Sequence, residues 1–199
     1  MSLEALNIAV FKSIAAQAGT APWHISLARL AAADLIYFLP LMLVVMWLWG
    51  NERTRNTALR ALAVTVLALL GNLLMGSLWY HPRPFAIGLA PNWINHAADS
   101  SFPSDHMTVC CAIAFSWLAS GWRWLGRSSL VLALLVALGR IYLGVHYPLD
   151  MLGAALMAAA ANLVVARLWP QLGGSLQHTL QGVYQRLFAL PISRGWCRR

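Results

Sequence analysis

The sequence predicts an all-α protein, a polytopic bundle of about five transmembrane helices preceded by one short N-terminal helix. Of its 199 residues, 60% are hydrophobic and only 10% are charged, and the mean hydropathy is +0.64. These values lie outside the usual balance of a soluble domain. No Pro/Gly/Ser-rich linker, low-complexity run or internal repeat divides the chain, so we expect one membrane-embedded domain over residues 1–199.

The short N-terminal helix is predicted over residues 3–16, where Leu3, Leu6, Val10 and Ile14 recur at helical spacing. This pattern suits a helix at the membrane surface or across the end of the bundle. Five apolar segments then approach the roughly 20 residues that a membrane helix needs. They cover residues 26–49, 58–80, 106–122, 128–143 and 149–169. The third and fourth are short, so we expect flanking polar residues to extend them or the bundle to enclose them.

The basic residues predict the orientation of these spans. Lys12 is the only lysine, and the net charge of +8 comes almost entirely from arginine. Three arginine groups follow the first, third and fifth spans: Arg53, Arg55 and Arg60; Arg123 and Arg127; Arg194, Arg198 and Arg199. Cytoplasmic loops of membrane proteins collect such charge, so we interpret these groups as topological and expect no nucleic-acid partner. Segments 81–105 and 144–148 then lie together on the outer face.

Polar residues interrupt the apolar pattern between the fourth and fifth spans, at Arg140, His146 and Asp150. Charge at membrane depth is costly and is mostly retained for function. On a continuous helix Arg140 and His146 would point about 240 degrees apart, so they share a site only if Gly144 and Pro148 turn the chain. Asp150, just inside the next helix, would then orient His146 as a nucleophile toward phosphorus. A helix-cap hydrogen bond or a pair of metal ligands are the alternatives for His146 and Asp150.

Two further polar clusters fall on the same predicted face. Ser104 or Asp105 is expected to cap a helix start, where an anion is favoured; Ser104 would donate to a phosphoryl oxygen and His106 would protonate a departing oxygen. Arg83 lies between two prolines in an extended segment, and its planar guanidinium would hold two phosphoryl oxygens. Taken alone, the cluster at residues 104–106 is typical of an ordinary capped helix with a surface histidine. Taken alone, Arg83 is typical of an arginine that contacts lipid headgroups. Their conjunction with Arg140 favours a phosphate site.

Two polar residues lie inside the first and second spans. Asp34 is in the outward part of the first span, and Asn72 lies within the second. Either would support the site indirectly or form an interhelical hydrogen bond, and we favour the hydrogen bond for Asn72.

These clusters resemble the signature of the type 2 phosphatidic acid phosphatase superfamily, by motif over residues 76–150 and by helix layout over the whole bundle. The matching residues are Arg83-Pro84, Pro103-Ser104-Asp105-His106, and Arg140, His146 and Asp150 with the family's spacing. The resemblance implies that Arg83, Ser104 and Arg140 bind phosphate. It also implies that His146 becomes a phosphohistidine, that Asp150 orients it, and that His106 protonates the leaving group. The family needs no metal ion, and we expect no cofactor.

Three positions depart from that signature. The family lysine falls on Gly76, so one phosphate-binding cation is missing, and His81 or another group would substitute. The family glycine is Asp105, whose charge would raise the proton affinity of His106 or help to handle a diphosphate. The family serine is Gly139. These variations, with the stretch 96–106, resemble the bacterial undecaprenyl-diphosphatase branch associated with bacitracin resistance.

The resemblance implies a lipid phosphatase of the bacterial cytoplasmic (inner) membrane with its active site on the outer (periplasmic) face. The expected reaction converts undecaprenyl diphosphate to the monophosphate, which recycles the carrier lipid for envelope synthesis. Phosphatidic acid or phosphatidylglycerophosphate hydrolysis, or phosphate transfer to another lipid, are alternatives on the same fold. The expected partners are a polyprenyl or other phospholipid substrate and the membrane, while the sequence leaves the oligomeric state open. A channel or transporter is a different class, but it predicts polar residues running through the bilayer, whereas here they gather at one end.

Overall fold

The computed structural model describes residues 2–199. Within that range the regular structure is helical, with no strand and one isolated bridge between Pro82 and Ser100. The α-helices are α1 (Leu3–Ile14), α2 (Pro22–Arg29), α3 (Phe38–Trp49), α4 (Glu52–Leu78), α5 (Asp105–Ala119), α6 (Arg123–Tyr142), α7 (Pro148–Leu187) and α8 (Ala189–Ser193). A π-helical turn (Leu30–Asp34) and a 3-10 turn (Leu35–Tyr37) join α2 to α3.

Four of the helical segments are long and apolar enough to cross a membrane: Pro22–Trp49, Glu52–Leu78, Arg123–Tyr142 and Pro148–Leu187. The fifth, α5, is shorter and packs against α4, α6 and α7. Polar residues extend α6 back to Arg123, whereas α5 is enclosed by its neighbours. Of the two short spans, α6 is therefore extended by flanking polar residues and α5 is enclosed by the bundle. The predicted helical bundle is confirmed.

The centre of the bundle is built from small side chains that let the helices approach closely. Cys110, Cys111 and Ala112 of α5 are buried against Ala158 and Ala161 of α7 in one apolar cluster. Close approach of small residues is the usual basis of helix association in membranes. Larger side chains such as Trp117 and Leu39 complete this cluster. Many other large apolar residues point outward: Leu73 is 72% exposed and Leu156 is 71% exposed, as expected for surfaces that contact lipid.

Helix α7 continues beyond the predicted end of the fifth span at residue 169, through Pro170 to Leu187. Proline removes one helical hydrogen bond and normally bends or ends a helix. Here Asn56 of α4 bonds α7 on both sides of that position. Its Oδ1 accepts from Trp169 Nε1 at 3.1 Å, and its Nδ2 donates to Gln177 Oε1 at 2.7 Å. These tertiary contacts outweigh the local preference of Pro170.

Arg55 is buried, although the sequence indicated only a topological charge between the first two spans. It is 1% exposed, and it donates from Nε to Trp47 O at 2.8 Å and from Nη2 to Arg198 O at 2.6 Å. Its guanidinium also packs on the rings of Trp47 and Tyr184. The C-terminal residues fold back onto the α3–α4 turn, so Arg55 has a structural role in addition to any topological one.

Helix α1 caps the opposite end of the bundle. Asn7 accepts through Oδ1 from Leu149 N at 3.1 Å, which satisfies a free amide in the first turn of α7. Phe11 packs on Tyr147 with ring centroids 5.4 Å apart. Both contacts fix α1 against the start of α7, and this end of the molecule carries all three polar clusters of the sequence.

Candidate active site

The chain turns sharply between α6 and α7, as the sequence predicts. Helix α6 ends at Tyr142 and α7 begins at Pro148, and Gly144 between them has a φ of 75°, a conformation that favours glycine. A Cβ on Gly144 would also lie 2.6 Å from Ala90 Cβ. The turn brings Arg140 Nη2 to 3.4 Å from His146 Nε2, although a continuous helix would have separated them.

Asp150 is bound to the same turn. Its Oδ2 accepts from Tyr147 N at 2.8 Å and lies 3.2 Å from His146 Nδ1. His146 and Asp150 are both 1% exposed. This arrangement combines a helix cap with a His–Asp pair. It favours a proton on Nδ1, leaving the lone pair of Nε2 free.

Arg83 covers the other side of the imidazole. Its Nη1 lies 3.0 Å from His146 Nε2 and donates to Val145 O at 2.9 Å. Its Nη2 donates to Ser100 O at 3.1 Å. The side chain is 6% exposed. Nε2 of His146 therefore faces two guanidinium groups, those of Arg83 and Arg140, which are suited to binding a phosphoryl group.

The start of α5 adds further donors. Ser104 precedes the helix and is completely buried. Its hydroxyl and Arg140 Nε are buried polar atoms that have no hydrogen-bond partner among residues 2–199. Buried donors normally have an acceptor, and both belong to a site where a helix N-terminus favours an anion. These donors match the oxygens of a phosphoryl group.

His106 lies in the first turn of α5 and is partly buried. Arg140, His146, His96 and Arg83 are the ionisable groups that act electrostatically on its ring. The structure therefore brings all six main candidates of the sequence to one end of the bundle: Arg83, Ser104, His106, Arg140, His146 and Asp150.

Three residues that sequence reasoning did not single out also belong to this cluster. Ser101 donates its hydroxyl hydrogen to Asp150 Oδ2 and lies 3.4 Å from His146 Nδ1. Asp99 Oδ1 accepts from Arg83 Nε at 2.7 Å. His96 Nε2 lies 3.0 Å from Arg140 Nη2. All three lie in the irregular segment before α5, where no periodicity distinguishes a site residue; the density of polar residues over 96–106 was the available signal.

The supporting candidates are divided by the structure. Asp105 accepts through Oδ1 from Asn72 Nδ2 at 2.8 Å, and Thr108 Oγ1 accepts from the same Asn72 nitrogen at 2.9 Å. The interhelical hydrogen bond favoured for Asn72 is therefore confirmed.

His81 faces α1. Its Nε2 lies 3.7 Å from Glu4 Oε1, and its ring packs on Tyr147. It makes no hydrogen bond to Arg83 or Arg140. Asp34 is exposed on the first span, and within residues 2–199 its side chain makes no hydrogen bond or ion pair with the cluster.

One departure from the signature, Gly139, has a steric explanation, whereas Gly76 has none. A Cβ on Gly139 would lie 3.0 Å from Ala28 O and from Ala32 N, because the first span crosses α6 at this point. A serine there would require the helices to move apart. A Cβ on Gly76 would make an ordinary contact with Ser100 Cβ at 3.4 Å. Ser100 therefore lies beside the position where the family has its lysine.

The environment of His146 keeps the imidazole neutral. Burial lowers the pKa of His146 from an ordinary value of 6.5 to about 4; Asp150 opposes this shift, while the positive charges of Arg140 and Arg83 add to it. A neutral imidazole has the lone pair that nucleophilic attack requires. Arg83, in turn, holds the pKa of Asp99 below its ordinary value, although partial burial of that carboxyl acts in the opposite direction.

A neutral histidine oriented by a carboxylate and facing two arginines, in a bundle of membrane helices, defines a phosphate-handling membrane enzyme. Residues 57–173 match the PAP2 superfamily, and the chain belongs to this family. It is a multi-pass membrane phosphatase of the lipid phosphatase class.

Several known proteins are similar to the chain. It is 43% identical over 196 residues to YbjG of Escherichia coli (strain K12), whose name provisionally gives it undecaprenyl-diphosphatase activity; the match covers 98% of this chain and 99% of that one. Undecaprenyl-diphosphatase BcrC of Bacillus subtilis (strain 168) is 36% identical over 127 residues, covering 64% of this chain and 65% of that one. The bacitracin transport permease protein BcrC of Bacillus licheniformis is 34% identical over 194 residues, covering 94% and 91%.

A solved structure shares the fold. The crystal structure of a transmembrane PAP2 type phosphatidylglycerolphosphate phosphatase from Bacillus subtilis aligns with a TM-score of 0.61 and 23% identity. The alignment covers 83% of this chain and 85% of that chain.

Proposed function

We propose that this protein hydrolyses undecaprenyl diphosphate to undecaprenyl phosphate and inorganic phosphate through a phosphohistidine on His146. The observation that carries the proposal is the arrangement of groups around one imidazole. Nε2 faces Arg83 at 3.0 Å and Arg140 at 3.4 Å, while Nδ1 faces Asp150 at 3.2 Å. The names of the two undecaprenyl-diphosphatase relatives support this choice of lipid.

In the first step the Nε2 lone pair of His146 attacks the terminal phosphorus. An N–P bond forms, and the bond between that phosphorus and the bridging oxygen breaks. The electron pair leaves with the bridging oxygen of undecaprenyl phosphate, which takes a proton from His106. Asp150 stabilises the positive charge that develops on the imidazole, and the guanidinium groups of Arg83 and Arg140 stabilise the phosphoryl oxygens.

In the second step water attacks the phosphorus of the phosphohistidine. The water loses one proton to His106, which now acts as the base, and the N–P bond breaks as the new O–P bond forms. Inorganic phosphate leaves, and His146 and His106 return to their starting states. Ser104 donates to a phosphoryl oxygen in both steps.

The proposed location is the bacterial inner membrane with this site on the periplasmic face. The arginine groups that follow the first, third and fifth spans belong to the opposite end of the bundle, which supports a cytoplasmic position for that end. At the outer face the enzyme would regenerate the monophosphate carrier for envelope synthesis. Removal of the diphosphate form also fits a role in resistance to bacitracin. Bacitracin is the compound in the name of the Bacillus licheniformis relative.

Phosphate release from the purified protein tests the proposal. The substrates are undecaprenyl diphosphate, phosphatidic acid and phosphatidylglycerophosphate, each with and without EDTA. We expect release from undecaprenyl diphosphate at the highest kcat/KM, unchanged by EDTA, and loss of turnover in His146→Ala with an unchanged melting temperature. No release from undecaprenyl diphosphate would reject this substrate, and strict EDTA sensitivity would reject the metal-free mechanism.

The covalent intermediate and the transferase alternative have separate tests. Rapid quenching with substrate labelled on the terminal phosphate should give an acid-labile, base-stable protein label that is absent in His146→Ala. A label that persists in this variant would place the phosphoryl group on another residue. Added lipid alcohols would reveal transfer, because transfer gives a phosphorylated lipid in place of inorganic phosphate.

A further inference from the structure

The segment before α5 carries two side chains that contact the site arginines but have no role in the proposed reaction. His96 Nε2 lies 3.0 Å from Arg140 Nη2. Three residues further on, Asp99 Oδ1 accepts from Arg83 Nε at 2.7 Å. One short stretch of chain therefore reaches both guanidinium groups.

The position of His96 is fixed by its backbone and by its own ring. Its N–H donates to Asn92 Oδ1 and its carbonyl accepts from Asn92 Nδ2, both at 2.9 Å. Nδ1 lies 3.0 Å from Ala97 O, and because a carbonyl only accepts, Nδ1 carries a proton. Nε2 of the neutral ring then accepts from Arg140. These bonds hold Nε2 toward the site, with the side chain 22% exposed.

Arg140 Nη2 is shared by two imidazoles. It lies 3.0 Å from His96 Nε2 and 3.4 Å from His146 Nε2, and the two ring centroids are 6.5 Å apart. A phosphoryl group bound at Arg140 and attacked by His146 therefore has His96 on its other side. In a diphosphate the second phosphate is one bridging oxygen away from the first, so it requires a donor at this distance from the nucleophile.

We infer that His96 forms a subsite for the second, non-transferred phosphate of a diphosphate substrate. The inference rests on the proposed function, because a monophosphate has no group to fill this subsite. With Nε2 protonated, His96 donates to an oxygen of the second phosphate, and Arg140 lies between the two phosphates. Asp99 lies 3.8 Å from His96 Nδ1, where its carboxylate stabilises the imidazolium.

Without substrate the surroundings of His96 favour the neutral ring, so the ring takes up a proton from solvent when a diphosphate binds. Burial lowers the pKa of His96, and the positive charges of Arg83 and Arg140 act in the same direction, while Asp99 opposes them. A bound diphosphate introduces negative charge beside both arginines and so favours the protonated ring. The subsite also supplies a cationic group in a chain that has Gly76 where the family has lysine.

Two substrates with the same tail test the subsite: farnesyl diphosphate and farnesyl monophosphate. A charge-assisted hydrogen bond is worth about tenfold or more in affinity, so His96→Ala should raise the KM for the diphosphate by about tenfold. The KM for the monophosphate should stay within about twofold. His96→Gln keeps a donor and should recover part of the loss. His178→Ala, which removes an exposed histidine at the opposite end of the bundle, is the matched control.

Competitive inhibition by inorganic anions gives a second readout, which uses a single lipid substrate and so does not depend on comparing two lipids. Wild-type protein should bind inorganic diphosphate more tightly than orthophosphate, and His96→Ala should lose this preference. Equal losses on both substrates, or no change in either variant, would overturn the subsite while leaving the proposed function intact. If wild-type protein releases no phosphate from farnesyl or undecaprenyl diphosphate, the proposed function fails and the subsite fails with it.

Discussion

Ser101 donates its hydroxyl hydrogen to Asp150 Oδ2, the carboxylate oxygen that also faces His146 Nδ1. The same oxygen accepts from the Tyr147 amide. Ser101 and Asp150 are 0% and 1% exposed. The two donors leave the carboxylate a single orientation, with Oδ2 toward the imidazole. Ser101 is therefore a positioning residue that acts on His146 through Asp150.

Replacement of Ser101 by alanine should lower kcat by about tenfold, since a hydrogen bond to a charged group is worth roughly 1.5–3 kcal/mol. The KM should change little, because the Ser101 hydroxyl contacts Asp150 and His146 and makes no hydrogen bond to Arg83 or Arg140. Steady-state kinetics on the purified variant measures both constants. Ser116→Ala is the control, since Ser116 is also fully buried but bonds only to Ala112 O of its own helix. A raised KM at unchanged kcat would show that Ser101 binds substrate.

The pH dependence of kcat/KM should reflect the lowered pKa of His146. Attack requires the unprotonated ring, so a base with an ordinary pKa of 6.5 would lose activity as the pH falls through that value. Burial and the two arginines lower the pKa to about 4, so activity should persist below pH 6.5 and decline only as the pH approaches this lower value. The measurement is kcat/KM from pH 4 to 8 in constant ionic strength.

The variant Asp150→Asn tests whether His146 is the group whose protonation lowers kcat/KM at low pH, the acid limb of the pH profile. Asp150 raises the pKa of His146, so its neutralisation should move the limb to lower pH while the plateau falls. A limb that stays in place belongs to the substrate or to another residue. A limb at pH 6.5 in wild-type protein would contradict the environment described for His146.

The polar clusters and their turn could be predicted from the sequence because local rules determine them. Gly144 and Pro148 predict a turn followed by a helix start. Once a helix begins at Pro148, the i, i+4 spacing brings the side chains of His146 and Asp150 close together. His96, Asp99 and Ser101 could not be assigned in the same way. Their contacts join residues separated by 44, 16 and 49 positions, and an irregular segment has no period that would reveal which side chains face inward.

The burial of Arg55 illustrates the same limit at the opposite end. Its sequence context, between Arg53 and Arg60, is that of a topological charge. Its partners include the carbonyl of Arg198, 143 positions away. Contacts with the returning C-terminal residues, with Trp47 and with Tyr184 distinguish Arg55 from its neighbours.

Asp105, where the family has glycine, should contribute to stability through Asn72 and to substrate affinity through its charge. The hydrogen bond from Asn72 Nδ2 ties α4 to the first residue of α5, and a carboxylate at a helix start is favourable. Asp105→Gly should therefore destabilise the protein by about 1–2 kcal/mol. The KM for a phosphate-bearing substrate should fall, because a negative charge leaves the phosphate-binding end.

Asp105→Asn separates these two effects, since it keeps an oxygen that accepts from Asn72 and removes the charge. We expect the KM to fall as in Asp105→Gly, with most of the stability retained in a detergent melting curve. An unchanged KM in both variants would mean that the Asp105 carboxylate does not act on bound phosphate.

Gly139 should resist replacement by the serine that the family signature has at this position. A Cβ there would lie 3.0 Å from Ala28 O, 3.0 Å from Ala32 N and 3.1 Å from Ala32 Cβ. Two of these atoms belong to the backbone of the first span, so α6 and that span must separate. Overpacking of this kind costs about 1–3 kcal/mol. Because Arg140 is the next residue, the same displacement should raise the KM for the phosphate-bearing lipid.

Gly174→Ser is the matched control, because a Cβ on Gly174 meets nothing within 4 Å and the substitution removes a glycine from a helix interior. Its melting temperature should be unchanged or slightly higher. Adding Ala32→Gly to Gly139→Ser removes the contact with Ala32 Cβ but not those with the backbone, so it should restore only part of the lost stability. A Gly139→Ser variant that melts and turns over like wild-type protein would show that the two helices are free to separate here.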